Sequence, residues 1–150
     1  MKNIILVFFL FFTINIISQT DNVSNYDRIF LTGNVDKLFS FDSCKDVKVE
    51  GNLVLQCFNM ELHKFVSSEL LKDTYRGVTC SKGRYFVFLS YVIDEKGKFT
   101  NLSISMRGNS CEKLKEAIKQ IMKNPPLVNP ALKNGKKVKV EHTSAVSLRF

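Results

Sequence analysis

Tryptophan is absent from this 150-residue chain, histidine occurs only twice, and all three prolines fall between residues 125 and 130. With only His63 and His142, and no CxxC pair among four cysteines, neither a zinc site nor a thioredoxin-like redox centre is expected. The lack of any proline before Pro125 excludes a Pro-rich spacer upstream. Acid is scarce too: 14 Asp and Glu stand against 22 Lys and Arg, a formal charge of +8. A chain this basic is attracted to anionic surfaces, whether lipid head groups, nucleic acid or acidic peptides, and charge alone chooses among none of them. No internal repeat or low-complexity segment occurs, and only one long apolar run is present.

That run opens the chain. "MKNIILVFFLFFTINIISQT" has Lys2 as its sole charge, an apolar stretch from Ile4 to Ile17, and then small and polar residues, the three-part plan of a secretory signal peptide. The stretch would span about 21 Å as a helix against roughly 30 Å of hydrocarbon. Residues 1–19 therefore read as a signal peptide, with a retained anchor as the alternative. Cleavage near Ser18 or Gln19 would lower the charge from +8 to +7, because residues 1–20 hold Lys2 and no acid. Export to the periplasm or to the outer membrane's surface is expected, and with it oxidation of Cys44, Cys57, Cys80 and Cys111.

The pairing follows from a hairpin. Tyr85–Ile93 is apolar at nearly every position, as in a strand covered on both faces. After the turn "DEKG", Leu102, Ile104 and Met106 alternate with Asn101, Ser103 and Ser105, the period of a strand with one wet face. A turn centred between Glu95 and Lys96 sets Cys80 opposite Cys111 at the hairpin's open end. Cys44 and Cys57 are then left to each other.

A helix follows, with Leu114, Ala117, Ile118, Ile121 and Met122 forming one stripe, capped by Asn109 or Ser110 and stopped at Asn124–Pro125. The prolines thus end a helix and stiffen a crossover. In the final run Val138, Val140, Val146, Leu148 and Phe150 share one face, and Lys139, Glu141, Thr143, Ser147 and Arg149 the other. The unit is β-β-α-β in an α+β domain. Upstream, Leu55, Phe58, Leu62, Phe65, Val66 and Leu70 lie on one side of a helix that Asn52 can cap. Such a helix packs on the sheet's other face, which would account for the doubly apolar first strand. Residues 20–50 read as an N-terminal loop with a short strand at Arg28–Leu31, and residues 51–150 as the domain, with its core at 84–150.

"YVIDEKGKFTNLSIS", "LKEAIKQIMKNPPLVNPALKNGKKVKV" and "VSLRF", in that order, resemble the C-terminal domain of TonB. The upstream "QCFNMELHKFVSSEL" resembles the cysteine-bearing helical lead-in of TonB-like proteins of the Bacteroidetes type. The resemblance implies strand addition: the last strand is an edge that pairs with an extended segment of an outer-membrane transporter. The residues it points to are Val138, Lys139, Val140, Glu141, His142, Thr143 and Ser144, with the backbone of Lys139, Glu141 and Thr143 nearest to hand. Gly135 matches the family's glycine before that strand. The chain departs from the family in lacking the Pro-rich spacer, in Asn129 after Val128 where an aromatic is frequent, and in Ala145 where proline is frequent. A free-standing, non-enzymatic envelope module is expected, taking no cofactor and no metal. Its partner is a protein or peptide such as a TonB-dependent receptor, or a second copy as a homodimer; no nucleic acid is expected. The competing classes are a charge-driven binder of anionic surfaces, which Lys133, Lys136, Lys137 and Lys139 would favour, and a ribonuclease using His63 and His142.

Overall fold

The computed structural model describes residues 29–47 and 53–150, so the apolar leader and the Asn52 cap lie outside the described residues. The described residues are α+β: a five-stranded sheet with two α-helices. In chain order the elements are β1 (Ile29–Leu31), α1 (Leu53–Leu70), β2 (Arg84–Ile93), β3 (Phe99–Arg107), α2 (Glu112–Ile121), β4 (Ala131–Lys133) and β5 (Lys136–Arg149). The sheet runs β1-β5-β2-β3, with β4 pairing the start of β5. The β-β-α-β unit is present, with β4 added as a short strand before its last member.

The β2–β3 turn is one residue longer than the even centre at Glu95–Lys96. Asp94 accepts the N–H groups of Lys96 and Lys98 at 2.9 and 2.8 Å, and Gly97 takes φ +77°. This is a type I turn followed by a left-handed residue. Only glycine fits there, because a Cβ on Gly97 would lie 1.8 Å from the Val128 carbonyl oxygen. Ile93 thus faces Phe99. A bulge at Asn101, with φ +52°, adds a further residue, so Leu89 faces Ile104. The slip leaves the disulfides untouched, since both cysteines lie beyond the ladder. Cys80 bonds to Cys111, and Cys44 to Cys57.

One expectation about the layers is overturned. Both helices cover the same face of the sheet. Phe58, Leu62 and Val66 of α1 and Leu114 and Ile118 of α2 join Tyr85, Val87, Leu89, Tyr91 and Ile93 in a single buried cluster. The opposite face stays open. Phe86 is 43% exposed, Phe88 is half-buried, and their neighbours are Ser103, Ser105, Thr143, Ala145 and Ser147. The apolar side chains at 86 and 88 mimic a doubly covered strand without being one.

The helical stripe of α2 is buried as its period requires, but Cys111, not Asn109 or Ser110, occupies the N-cap position. Tethering by its disulfide, not a side-chain cap, holds that end. Residues 35–44 show no period, yet Phe39, Phe41 and Cys44 reach the core. Phe39 and Phe41 each lie within 5 Å of the Phe58 ring centroid. The segment is held along the crossover by the backbone of Lys37 against Leu132 and of Ser40 against Asn129.

Candidate functional site

β5 is flanked by β2 on one side, and its other side is the candidate surface. Gly83 and Phe150 exchange backbone hydrogen bonds at 3.0 and 3.1 Å. Counting back along an antiparallel ladder, the even-numbered residues of β5 turn their N–H and C=O groups toward β2, and the odd-numbered ones turn theirs outward. Ser147 agrees: its carbonyl accepts from His63 Nε2 of α1 at 2.9 Å. A carbonyl only accepts, so His63 carries a proton on Nε2.

The outward side is not uniform. Ile29–Leu31 pairs in parallel with Lys139–Glu141 on that side, while β4 takes the place of β2 along Lys136–Val138 on the inner side. Of the seven residues singled out from the sequence, Val138, Lys139 and Glu141 thus already have strand neighbours besides β2 or in its place. Val140, His142 and Ser144 turn their backbone inward to Ile93, Tyr91 and Leu89. Thr143 alone of the seven presents an outward backbone beyond β1, and the open stretch continues through Ala145 and Ser147. Among the described residues no backbone group meets the outward N–H and C=O of Thr143 and Ala145, or the N–H of Ser147. At about 3.4 Å per residue, this leaves room for an extended segment of four or five residues.

Side chains frame that stretch unequally. On the α1 side stand His63 and, one turn before it, Met60, which is 57% exposed. On the open face the side chains of Thr143, Ala145 and Ser147 adjoin Ser90, Phe88 and Phe86. Thr143 and Ser90 share a hydrogen bond of 2.8 Å. An incoming strand would therefore lay alternate side chains against Met60 and His63 and against a shallow Ala145–Phe88 surface.

Behind the edge the Tyr91 and Ser144 hydroxyls are paired. Ser144 gives its only hydrogen to Asn59 Oδ1 at 2.7 Å, so the Tyr91 hydroxyl, 2.6 Å away, donates to Ser144. Burial raises the Tyr91 phenol well above its ordinary value, the Ser144 bond acting the other way. His142 faces the covered side, among the rings of Phe39, Phe58 and Tyr91 at 5.4, 6.2 and 6.1 Å. Its Nε2 is buried with no hydrogen-bond partner, and desolvation pushes the imidazole below its usual range. The two histidines thus have different tasks: His63 ties α1 to the edge, and His142 fills an aromatic pocket.

The basic turn is partly neutralised. Lys133 pairs with Asp36 at 3.1 Å and Lys139 with Glu95 at 3.9 Å. The Asn134 N–H and then the Lys133 ammonium hold the Asp36 carboxyl below its ordinary value. Lys136 and Lys137 follow the Asn134-Gly135 turn and are exposed. Among the described residues no group of His, Cys, Asp and Glu could hold a metal ion, and no helix is long and apolar enough to cross a membrane. The sequence missed the parallel docking of β1, since three residues carry no period long enough to reveal a partner. No family model, curated protein or solved structure is significantly similar to this chain.

Proposed function

We propose that this chain is a non-enzymatic envelope protein with a TonB C-terminal-like domain, which binds an extended peptide by adding it as a strand to β5. The observation that carries the reading is the row of unmatched outward backbone groups at Thr143, Ala145 and Ser147. A strand edge of this kind satisfies an extended partner whatever its sequence, and flanking side chains then select among partners. β1 supports the reading from within the chain, because three residues already dock on the same edge one step away. The partner proposed is a segment of an outer-membrane transporter facing the periplasm, in keeping with the resemblance and with export of a disulfide-bonded chain.

The test is titration of the isotopically labelled, oxidised protein with such peptides, following backbone amides by NMR. Strand addition moves the amides of Thr143, Ala145 and Ser147 first, and Ala145→Pro abolishes the effect by deleting an outward N–H. Raising salt leaves most of the affinity in place. If affinity instead collapses with salt and Lys136 and Lys137 carry the shifts, the charge-driven reading replaces this one.

A further inference from the structure

The sheet has a second open edge. Among the described residues β3 has only β2 beside it. Because even-numbered residues of β2 face β3, the odd-numbered residues Ser103, Ser105 and Arg107 turn their backbone to the ladder, and Leu102, Ile104 and Met106 turn theirs outward. No other backbone group among the described residues meets them. Natural edges are blunted with lysine or proline, and Phe99–Met106 contains neither. Beside this edge runs an open groove of about 370 Å³, with Leu102 and Ile104 as its floor and Glu112, Lys115, Glu116 and Lys119 of α2 along its wall.

We propose that a second copy of this chain docks here, the two β3 strands pairing antiparallel about a two-fold axis to join the two sheets into one. The backbone allows it. Centred on Ile104, the pairing sets Ile104 opposite its own copy and Leu102 opposite Met106, so each outward residue meets another outward residue. The charges select it. Reversing α2 about its middle, between Lys115 and Glu116, brings Glu112 of one copy to Lys119 of the other, and Lys115 of one to Glu116 of the other. Every acid on the groove wall then meets a base, which is the self-complementarity an isologous interface requires. The pairs these residues make within their own helix are loose, at 3.9 Å for Lys115–Glu112 and 4.0 Å for Lys119–Glu116, so they are readily exchanged. A foreign peptide would have to carry a matching charge sequence by chance; this chain carries it already.

The surface is distinct from the β5 edge and does not depend on peptide binding there. The experiment is sedimentation of the oxidised protein and of two charge variants, alone and mixed. Wild type and Ala145→Pro, which blocks only the β5 edge, both dimerise below about 1 mM. Lys115→Glu/Lys119→Glu makes one wall wholly acidic, and Glu112→Lys/Glu116→Lys makes it wholly basic. Each variant alone loses self-association by at least about 100-fold, since like charges meet across the axis. An equimolar mixture of the two restores a dimer containing one copy of each. Ile104→Pro, lacking one outward N–H, is monomeric as well. A wild type that stays monomeric, single-sign variants that dimerise as well as wild type, or a mixture that restores nothing would each overturn the proposal. A peptide that binds at β3 while the protein stays monomeric would overturn it too, and give the groove to another occupant.

Discussion

The two halves of β5 share one ladder to β2 and differ in what meets them on the other side. Over Lys139–Glu141 the outward groups are taken by β1, and behind them Phe39 and His142 fill the core. From Thr143 to Ser147 no strand among the described residues takes the outward groups, and His63 bonds a single carbonyl, that of Ser147. Nothing in the alternation of the two halves differs: Lys-Val-Glu and Thr-Ser-Ala-Val-Ser both read as a strand with one covered face. What separates them is the segment 29–41, which returns to cover one half and stops. The comparison teaches that an edge is a property of neighbours, not of the strand that carries it.

The comparison breaks most severely from the covered side. Phe39→Ala removes a fully buried ring from the layer behind the first half, and a loss of about 3–5 kcal/mol is expected in urea unfolding. Proline at Val140, whose N–H faces β2 opposite Ile93, removes a ladder bond, at a cost of about 3 kcal/mol or more. Proline at Ala145 has its N–H outward, so the urea midpoint should move far less while peptide binding disappears. Greater destabilisation by proline at Ala145 than at Val140 would mean that the assignment of inward and outward residues is reversed.

Opening the Cys44–Cys57 bridge as a double serine variant frees a loop of 13 residues that anchors the covering segment. A cost of about 3 kcal/mol is expected, with the aromatic pocket around Phe58 loosened first in near-ultraviolet dichroism. A smaller effect belongs to His142, at the junction of the two halves. Its imidazole is held neutral by burial, while in the unfolded chain it titrates near about 6.5. The unfolded state therefore binds more protons as pH falls. Stability drops below about pH 6.5, by no more than about 1.4 kcal/mol per pH unit, and levels off once the lowered folded value is passed. His142→Phe should flatten that slope in unfolding curves taken across the range. The smallest effect sharpens the contrast. Phe30→Pro withdraws β1 from Lys139 and Glu141, lengthening the open edge, and should tighten peptide binding by up to about tenfold, read by calorimetry.

Much of the fold was legible beforehand because it rests on local period. The stripe from Leu114 to Met122 and the run from Val138 to Leu148 bury the side their spacing implies, and the alternation from Leu102 to Met106 half-buries its apolar side. The Asp94–Gly97 turn declared itself by residue type, and the placing of Cys80 against Cys111 survived a register slip because both lie past the ladder. Less of the site was legible. Phe86 and Phe88 look like core in the sequence and lie on an open face, since apolar character says that a side chain tolerates burial, not that something covers it. Phe39 and Phe41 look like isolated aromatics in a loop and are core. They reach Phe58 through a backbone path along Asn129–Leu132 that no periodicity encodes.

By itself, then, the sequence determined both helices, the hairpin, the last strand, their order and the cysteine partners, though not β4, because each depends on residues close in the chain or on a hairpin's symmetry. Only the tertiary structure decided which face the helices share, where the segment before α1 runs, and hence which backbone groups of β5 and β3 are left without a partner. Those groups are identical in every residue, so no side-chain pattern can mark them. Whether an N–H is free is settled by what packs beside it in space.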